Sequence, residues 1–387
     1  MSFKHGISVI EINNGSRTLT PISTAIIGLV ATAPDADPNL FPLNRPALIT
    51  DIEAAIGKAG ATGTLCNALR AIADQTRPVG VVVRVPEGED DDETTANVIG
   101  STIDGQKTGL QALLAAEGQL GVRPRILGAP GLDTQPVASA LAVVARKLRG
   151  FAYASALVST VAEARDYRAN FSAREMMLLF PDFLAFDPDA AAAVTSHAVA
   201  RALGTRARID EEVGPHKTLS NVPVEGVMGL TRDIQWDLQS SDTEAALLNA
   251  ADITALVRTS SGYRFWGNRT CSDDPQFAFE STVRVAQLLA DTVARGMEWA
   301  VDKPLTPMLV HDIVETVNGL FRQLKAAGVI LGANAWYDEA QNSTESLKAG
   351  KLRIDYDYTV PPPLEDLGFH QRITDVYFAD FSGQAAA

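Results

Sequence analysis

Cysteine is almost missing from this sequence. Cys66 and Cys271 are the two present in 387 residues, and neither has a CxxC neighbour. A zinc ribbon and a disulfide-held scaffold are thereby excluded, and both residues read as small buried hydrophobes. Histidine is sparse as well. His5, His197, His216, His311 and His370 are scattered, and no HxH, HxxxH or HExxH spacing sets up metal ligands. All five read as structural or surface residues, and no metal is expected.

Positive charge is in deficit, with 33 Lys and Arg against 47 Asp and Glu and a formal net charge of −14. Such a chain suits neither a phosphate backbone nor an anionic bilayer, so nucleic acid and membrane are set aside as partners. A long apolar run is missing too. The longest uncharged stretch, 18–34, is interrupted by Thr, Ser, Gly and Pro and makes a poor bilayer span. The opening Met1-Ser-Phe-Lys-His-Gly6 has no apolar segment of the kind that directs export, which points to synthesis and folding in the cytoplasm.

Catalytic signatures are equally scarce. The segment Gly57-Lys-Ala-Gly-Ala-Thr-Gly-Thr64 contains neither GxGxxG nor GxxxxGK[ST], so it reads as a tight turn before a helix rather than a phosphate cradle. No GxSxG elbow occurs, and neither cysteine lies in a nucleophile signature. The carboxylate pairs Glu211-Glu212 and Asp273-Asp274 are sequence neighbours whose side chains diverge. The expectation is a protein with no cofactor and no catalytic residues.

What is present is a folded chain of about two to three domains by length. Its 29 glycines and 20 prolines are ordinary usage, which fits neither a fibrous nor a disordered chain. Gly6 to Ile12 reads as a short strand whose apolar phase slips between Val9 and Ile10, closed by the turn residues 13–16. Thr24 to Ala33 reads as a strand buried on both faces. Leu65, Leu69 and Ile72 mark an amphipathic helix, followed by a strand over 79–85. Glu87 to Glu93 carries six carboxylates in seven residues and is expected to be a solvated loop, since it lacks the oxygen spacing of a calcium loop. A strand at 125–131, a helix through Val137, Leu141, Val144 and Leu148, and a strand at 150–158 give strand–helix–strand order and hence a layered α/β domain. Met176 to Phe186 adds an apolar strand, and Asp187-Pro188 is expected to cap an Ala-rich helix.

Beyond about residue 219 the pattern loosens, and the domain junction is placed there. Phe279, Val283, Ala286, Leu289, Val293 and Met297 trace one helical face. Thr306-Pro307 then caps a second helix with the stripe Leu309, Ile313, Val317, Leu320 and Leu324, closed by Gly328. Lys351 to Val360 alternates without error, with Leu352, Ile354, Tyr356, Tyr358 and Val360 on one face. Pro361-Pro-Pro363 ends it, and Arg372 to Phe381 reads as a terminal strand cut off by that linker. The fold class is therefore α/β (α+β): an N-terminal strand arm (1–23), a layered α/β domain (24–218), a C-terminal α/β domain (219–366) and a C-terminal strand arm (367–387).

Four stretches together carry a resemblance: Gly6-Ile-Ser-Val-Ile-Glu11 with Gly15-Ser-Arg17, Thr24-Ala-Ile-Ile-Gly-Leu-Val30, Pro124-Arg-Ile-Leu-Gly-Ala-Pro-Gly131, and above all Gly262-Tyr-Arg-Phe-Trp-Gly-Asn-Arg-Thr270. The chain resembles contractile tail sheath proteins over nearly its whole length, and in size it is most similar to the compact sheaths of R-type pyocins and P2-like phage tails. The resemblance implies a structural subunit that stacks in six-fold rings around an inner tube. Such rings contract from a metastable extended state and drive the tube through a target envelope. It implies as partners further copies of the chain, the tube protein, and baseplate and terminator proteins, with assembly in the cytoplasm before the particle is released. The 24–218 domain is then the outer one and 219–366 the inner one.

Strands without an intramolecular home invite addition to a neighbour's sheet. From the residues alone, folding back and exchange are equally open, and the resemblance favours exchange. The expected exchanged arms are Ile7, Val9, Ile10 and Ile12 at one end and Ile373, Val376, Tyr377, Phe378 and Phe381 at the other. The expected acceptor strand carries Leu352, Ile354, Tyr356, Tyr358 and Val360. In the Pro307 helix a polar stripe of Glu315, Asn318, Arg322 and Lys325 runs beside the apolar one and is the expected tube-facing surface. Trp266 is expected to be a core residue, with Asn268 and Arg269 bonding local backbone. A cytoplasmic α/β enzyme with an unrecognised site, or a component similar to type VI secretion sheaths, stands as the alternative function.

Overall fold

The computed structural model describes residues 19–187, 191–376 and 378. Its frame is an eight-stranded sheet built from β1 (Ile27–Thr32), β2 (Pro46–Ile49), β3 (Gly80–Val85), β4 (Ile126–Gly128), β5 (Phe151–Ser155) and β6 (Met176–Phe180), completed by two strands from later in the chain. A small antiparallel sheet of β7 (Phe183–Asp187), β8 (Ala192–Ser196) and β9 (Gly229–Leu230) follows β6, with β7 in the middle. The chain then returns to the large sheet with β10 (Ile253–Thr259) and β11 (Gly262–Trp266). The order across that sheet is β11-β10-β6-β5-β4-β1-β3-β2. The six inner strands run parallel, and the two edge strands β2 and β11 are antiparallel.

Helices cover both faces, as a parallel sheet requires. On one side, α1 (Leu65–Ala73) and a helix at Ala198–Glu212 pack over Ile27, Leu29, Phe151, Tyr153, Met177 and Leu179. On the other, α2 (Asp91–Ile99) and α3 (Gln135–Leu148) pack over Val30, Val81, Val83, Leu127, Ala152 and Leu178. Neighbouring residues of one strand thus feed opposite cores, which is why these strands read as unbroken apolar runs. With α4 (Val161–Arg168) lying near β10, the Ala198–Glu212 helix becomes α5, and Glu244–Ala250 is α6.

The remaining chain forms a smaller body. Helix α7 (Glu280–Gly296) leads to α8 (Pro307–Ala326), and the two share an apolar cluster of Val285, Leu288, Leu289, Val317, Leu320, Phe321 and Leu324. Strands β12 (Gly332–Tyr337) and β13 (Ile354–Thr359) form an antiparallel pair packed against that cluster. Thr306 caps α8 by accepting from the Leu309 amide at 3.2 Å, as its place before Pro307 predicts. Gly328 follows the helix at φ +76°, a conformation that favours glycine.

Several expectations are corrected. The acidic run is not all loop: Asp90 accepts from the Glu93 amide at 2.7 Å and starts α2, with Asp91, Asp92 and Glu93 in its first turn. Carboxylates at a helix N-terminus complement the exposed amides and the macrodipole. No helix begins at Asp187. That residue closes β7, whose partner β8 occupies 192–196, and the helix starts at Ala198, where the Asp182 side chain accepts from the Ala198 amide at 2.7 Å. The apolar stretch 176–186 is two strands, split at Pro181. The large sheet does not end near residue 219, because β10 and β11 belong to it. Residues 19–22 of the expected N-terminal arm lie on α7. Leu19 is buried there, Ile22 N donates to Thr292 Oγ1 at 3.4 Å, and a Cβ at Gly296 would stand 2.5 Å from Leu19 Cδ2.

Candidate assembly surfaces

The parallel strands direct their carboxyl ends to one edge, where doubly wound sheets place ligands. Here the loop 57–64 folds over the end of β1. Thr64 N donates to Thr32 O at 2.9 Å, and Asp35 accepts from the Ala61 and Thr62 amides at 2.8 and 3.1 Å. These bonds hold the Asp35 carboxyl down at about 2, with the Thr62 hydroxyl as the largest cause. Two strands along, Asp133 is fully buried and accepts from the Ser155 amide, while Asp182 takes His197 Nδ1 at 3.1 Å. Burial pushes the Asp133 carboxyl up to about 7. Ser155 Oγ donates to Asp182 at 3.4 Å, the same carboxylate that takes His197, and among the described residues no hydrogen bond joins the serine to the histidine. Among the described residues no group of His, Cys, Asp and Glu is arranged to hold a metal, and no helix is long and apolar enough to cross a membrane.

The strand pair β12–β13 is different, because among the described residues it stops at two strands. Ala335 donates its amide to Asn318 Oδ1 at 2.8 Å and accepts from Asn318 Nδ2 at 2.9 Å, so α8 covers the outer edge of β12 there. Ala335 lies opposite Tyr356. A residue that turns both backbone groups outward belongs to a non-hydrogen-bonded pair, so Tyr356 also directs its N–H and C=O away from β12. By the two-residue period Ile354 and Tyr358 do the same. None of these outward groups has a strand partner among the described residues. The side chains behave as the alternation predicts: Ile354, Tyr358 and Val360 pack on the inner cluster, and Tyr356 lies against Phe321 with ring centroids 5.7 Å apart. Leu352 is half-buried just before the strand.

Beyond the prolines, residues 364–376 are exposed. Ile373 is 97% exposed, and Val376 and Phe378 are each 71% exposed. Tyr377 and Phe381 lie outside the described residues, as do Ile7, Val9, Ile10 and Ile12 of the other arm.

On α8, Arg322 and Lys325 are exposed, and Arg322 stands 3.7 Å from Glu315. Asn318 departs from the expected stripe, since its side chain is turned to β12 as described. Between α8, β12 and the short helix Thr344–Lys348 runs an open groove of about 930 Å³, lined by Val310, Val314, Trp336, Tyr337 and Leu347.

The motif 262–270 is used in three ways. Trp266 packs edge-on to Trp236 with ring centroids 5.1 Å apart. Asn268 is buried, and its carbonyl accepts from the Glu280 amide at 3.0 Å, which ties β11 to the start of α7. Its side-chain Oδ1 bonds no backbone, contrary to expectation. Arg269 also leaves its own segment, forming a two-bonded pair with Glu365 of the proline-rich linker. Sequence reasoning missed that partner because a contact between residues 96 positions apart leaves no local signal.

Residues 105–271 match the phage tail sheath protein central domain family, 272–374 the phage tail sheath C-terminal domain, and 24–85 the tail sheath protein Gp18 domain III N-terminal region. The chain is 55% identical to the tail sheath protein of Escherichia phage P2, covering 98% of this chain and 97% of that one. It is 44% identical to the major tail sheath protein of Serratia phage KSP20, covering 97% of each. In fold it is similar to the sheath of an extracellular contractile injection system, the PVC complex in its contracted state, with a TM-score of 0.72 at 15% identity over 98% of this chain and 99% of that one. A relationship to two phage sheaths over nearly the whole of each chain, with family models matching from residue 24 to 374, has one consequence: the chain belongs to the phage tail sheath family and is a structural subunit of a contractile tail sheath, not an enzyme.

Proposed function

We propose that this sheath subunit polymerises by strand exchange, with residues 6–12 and 372–381 of one copy adding to the β12–β13 pairs of neighbouring copies. The observation that carries the reading is the open edge of β13 at Ile354, Tyr356 and Tyr358, together with a chain end whose Ile373 is 97% exposed. An amphipathic strand edge with unpaired backbone groups is a template for another strand, and an exposed apolar segment gains by covering itself there. Repeated through stacked six-fold rings around an inner tube, such links keep the lattice connected while subunits move as rigid bodies from an extended to a contracted arrangement.

The tube is gripped weakly by α8 through Glu315, Arg322 and Lys325. Exposed charges on a helix suit a contact that must release when the sheath widens. Baseplate and terminator proteins close the two ends of the polymer, which is assembled in the cytoplasm and leaves with the particle. Deleting residues 1–14 or 370–387 is expected to leave a folded subunit that no longer builds cylinders under the electron microscope. Full-length cylinders from either truncation would reject strand exchange.

A further inference from the structure

The linker after β13 has one polar contact with the large body among the described residues, and Arg269 makes it. Its Nε donates to Glu365 Oε1 at 3.1 Å and its Nη2 to Oε2 at 2.8 Å. An isolated exposed ion pair contributes little, but two parallel bonds to one carboxylate fix direction as well as distance. The arginine is held in advance. Its guanidinium lies 5.4 Å from the Phe279 ring centroid and 3.9 Å from Asp252, and its backbone bridges to Phe279.

On one side of Glu365 the chain is stiff, because Pro361, Pro362 and Pro363 favour an extended path. On the other side it is free. Residues 366–376 are exposed throughout, and a Cβ added at Gly368 would meet no atom within 4 Å.

We propose that the Arg269–Glu365 fork is a positioning clasp, which fixes the point where the C-terminal strand leaves its own subunit and puts the hinge beyond it, at 366–371. The inference rests on the strand-exchange reading. From Glu365 to Ile373 is eight residues, a reach of at most about 26–29 Å. With the fork open the free chain begins at Pro361, which adds roughly 12 Å of reach. The clasp therefore narrows the set of neighbours within range and raises the effective concentration of the strand at the one it serves.

Reversing each partner separates this role from folding. Glu365→Arg touches only the clasp, and its subunit is expected to melt with the wild type while needing about tenfold more protein to polymerise. Arg269→Glu is expected to behave alike, and if its other contacts make it unfold, Glu365→Arg alone decides. The chain carrying both substitutions is expected to polymerise as the wild type does. An equimolar mixture of the two single variants is expected to stay defective, because every pair within a chain is still like-charged. Recovery in the mixture would place the pair between subunits and overturn the clasp, as would wild-type assembly by Glu365→Arg. The 370–387 deletion run beside them distinguishes the two failures: if it blocks assembly while Glu365→Arg does not, the clasp alone falls, and if it assembles normally both readings fall.

Discussion

Asp133 holds a carboxyl group beyond the reach of water, and the arrangement around it determines how the subunit responds to pH. One oxygen accepts from the Ser155 amide and the other has no partner, with Asp182 and His197 close by. Burial is the largest cause of its rise from 3.8 to about 7, and the charge on Asp182 adds to it. His197 is raised as well: burial would lower it, but its bond to Asp182 outweighs that. Between 3.8 and about 7 the folded chain keeps a proton on Asp133 that the unfolded chain has released, so stability grows as pH falls through that window. A raised histidine acts in the same sense, contributing below 6.5 and losing its effect as pH rises through its folded value. Asp133→Asn is therefore expected to raise the melting temperature at pH 8, by roughly 2–4 °C for each kcal/mol recovered, and to raise it about a third as much at pH 5, where only the first part of that window has been crossed. Melting curves at the two pH values check this, and an equal shift at both would mean the carboxyl is not buried as a charge at pH 8.

Among the elements, α8 has two faces that answer different demands. Val317, Leu320, Phe321 and Leu324 are buried in the cluster shared with α7, while Arg322 and Lys325 are left in solvent. Reversing both, Arg322→Glu with Lys325→Glu, removes a 3.7 Å surface pair with Glu315 and little else, so the melting temperature is expected to move by no more than roughly 2 °C. Extended, tube-filled particles are expected to be replaced by contracted sheaths or bare tubes, counted by electron microscopy; normal particles at normal yield would assign the helix to solvent alone. This helix was legible in the sequence because one face repeats at three and four residues and both ends carry their own cap chemistry. The alternating strand at 351–360 was legible for the same reason, with period two. Where the sequence misled, the deciding interaction was not local. The Ala-rich stretch after Asp187 favours a helix by propensity, yet antiparallel pairing with β7 makes residues 192–196 a strand. The open edge of β13 and the use of Asn318 as a bracket for β12 depend on which strands fail to find a partner, and no spacing records that.

For the whole molecule, the question is how a large α/β body and a small C-terminal body hold together as one subunit, and α7 supplies the connection. Its first half enters the large body: Glu280 is fully buried, takes the Tyr153 hydroxyl, and lies 3.3 Å from Arg206, while Arg284 pairs with Asp210. Its middle carries Asp291, which binds Arg125 and Arg149 and lies 3.4 Å from Arg123. Its other face builds the inner cluster with Val285, Leu288 and Leu289. A small apolar cluster gains little stability alone, so the C-terminal body depends on α7 being held. Asp291 is the joint most open to test, because burial raises its pKa but Arg149 and Arg125 outweigh that and hold it below 3.8. Its contribution is present above pH 3.8 and lost as acid protonates it. Asp291→Ala leaves Arg125, whose side chain is 5% exposed, facing two other arginines with no carboxylate between them. Removing one partner of a buried pair costs about 3–5 kcal/mol. At neutral pH the wild-type subunit is expected to unfold in one calorimetric transition, and Asp291→Ala in two, with the C-terminal body melting first. Fluorescence assigns that first step, since Trp299 and Trp336 lie in or beside the C-terminal body and Trp236 and Trp266 in the large one. A single transition, lowered but unsplit, would mean that the apolar contacts of α7 couple the two bodies without this charge cluster.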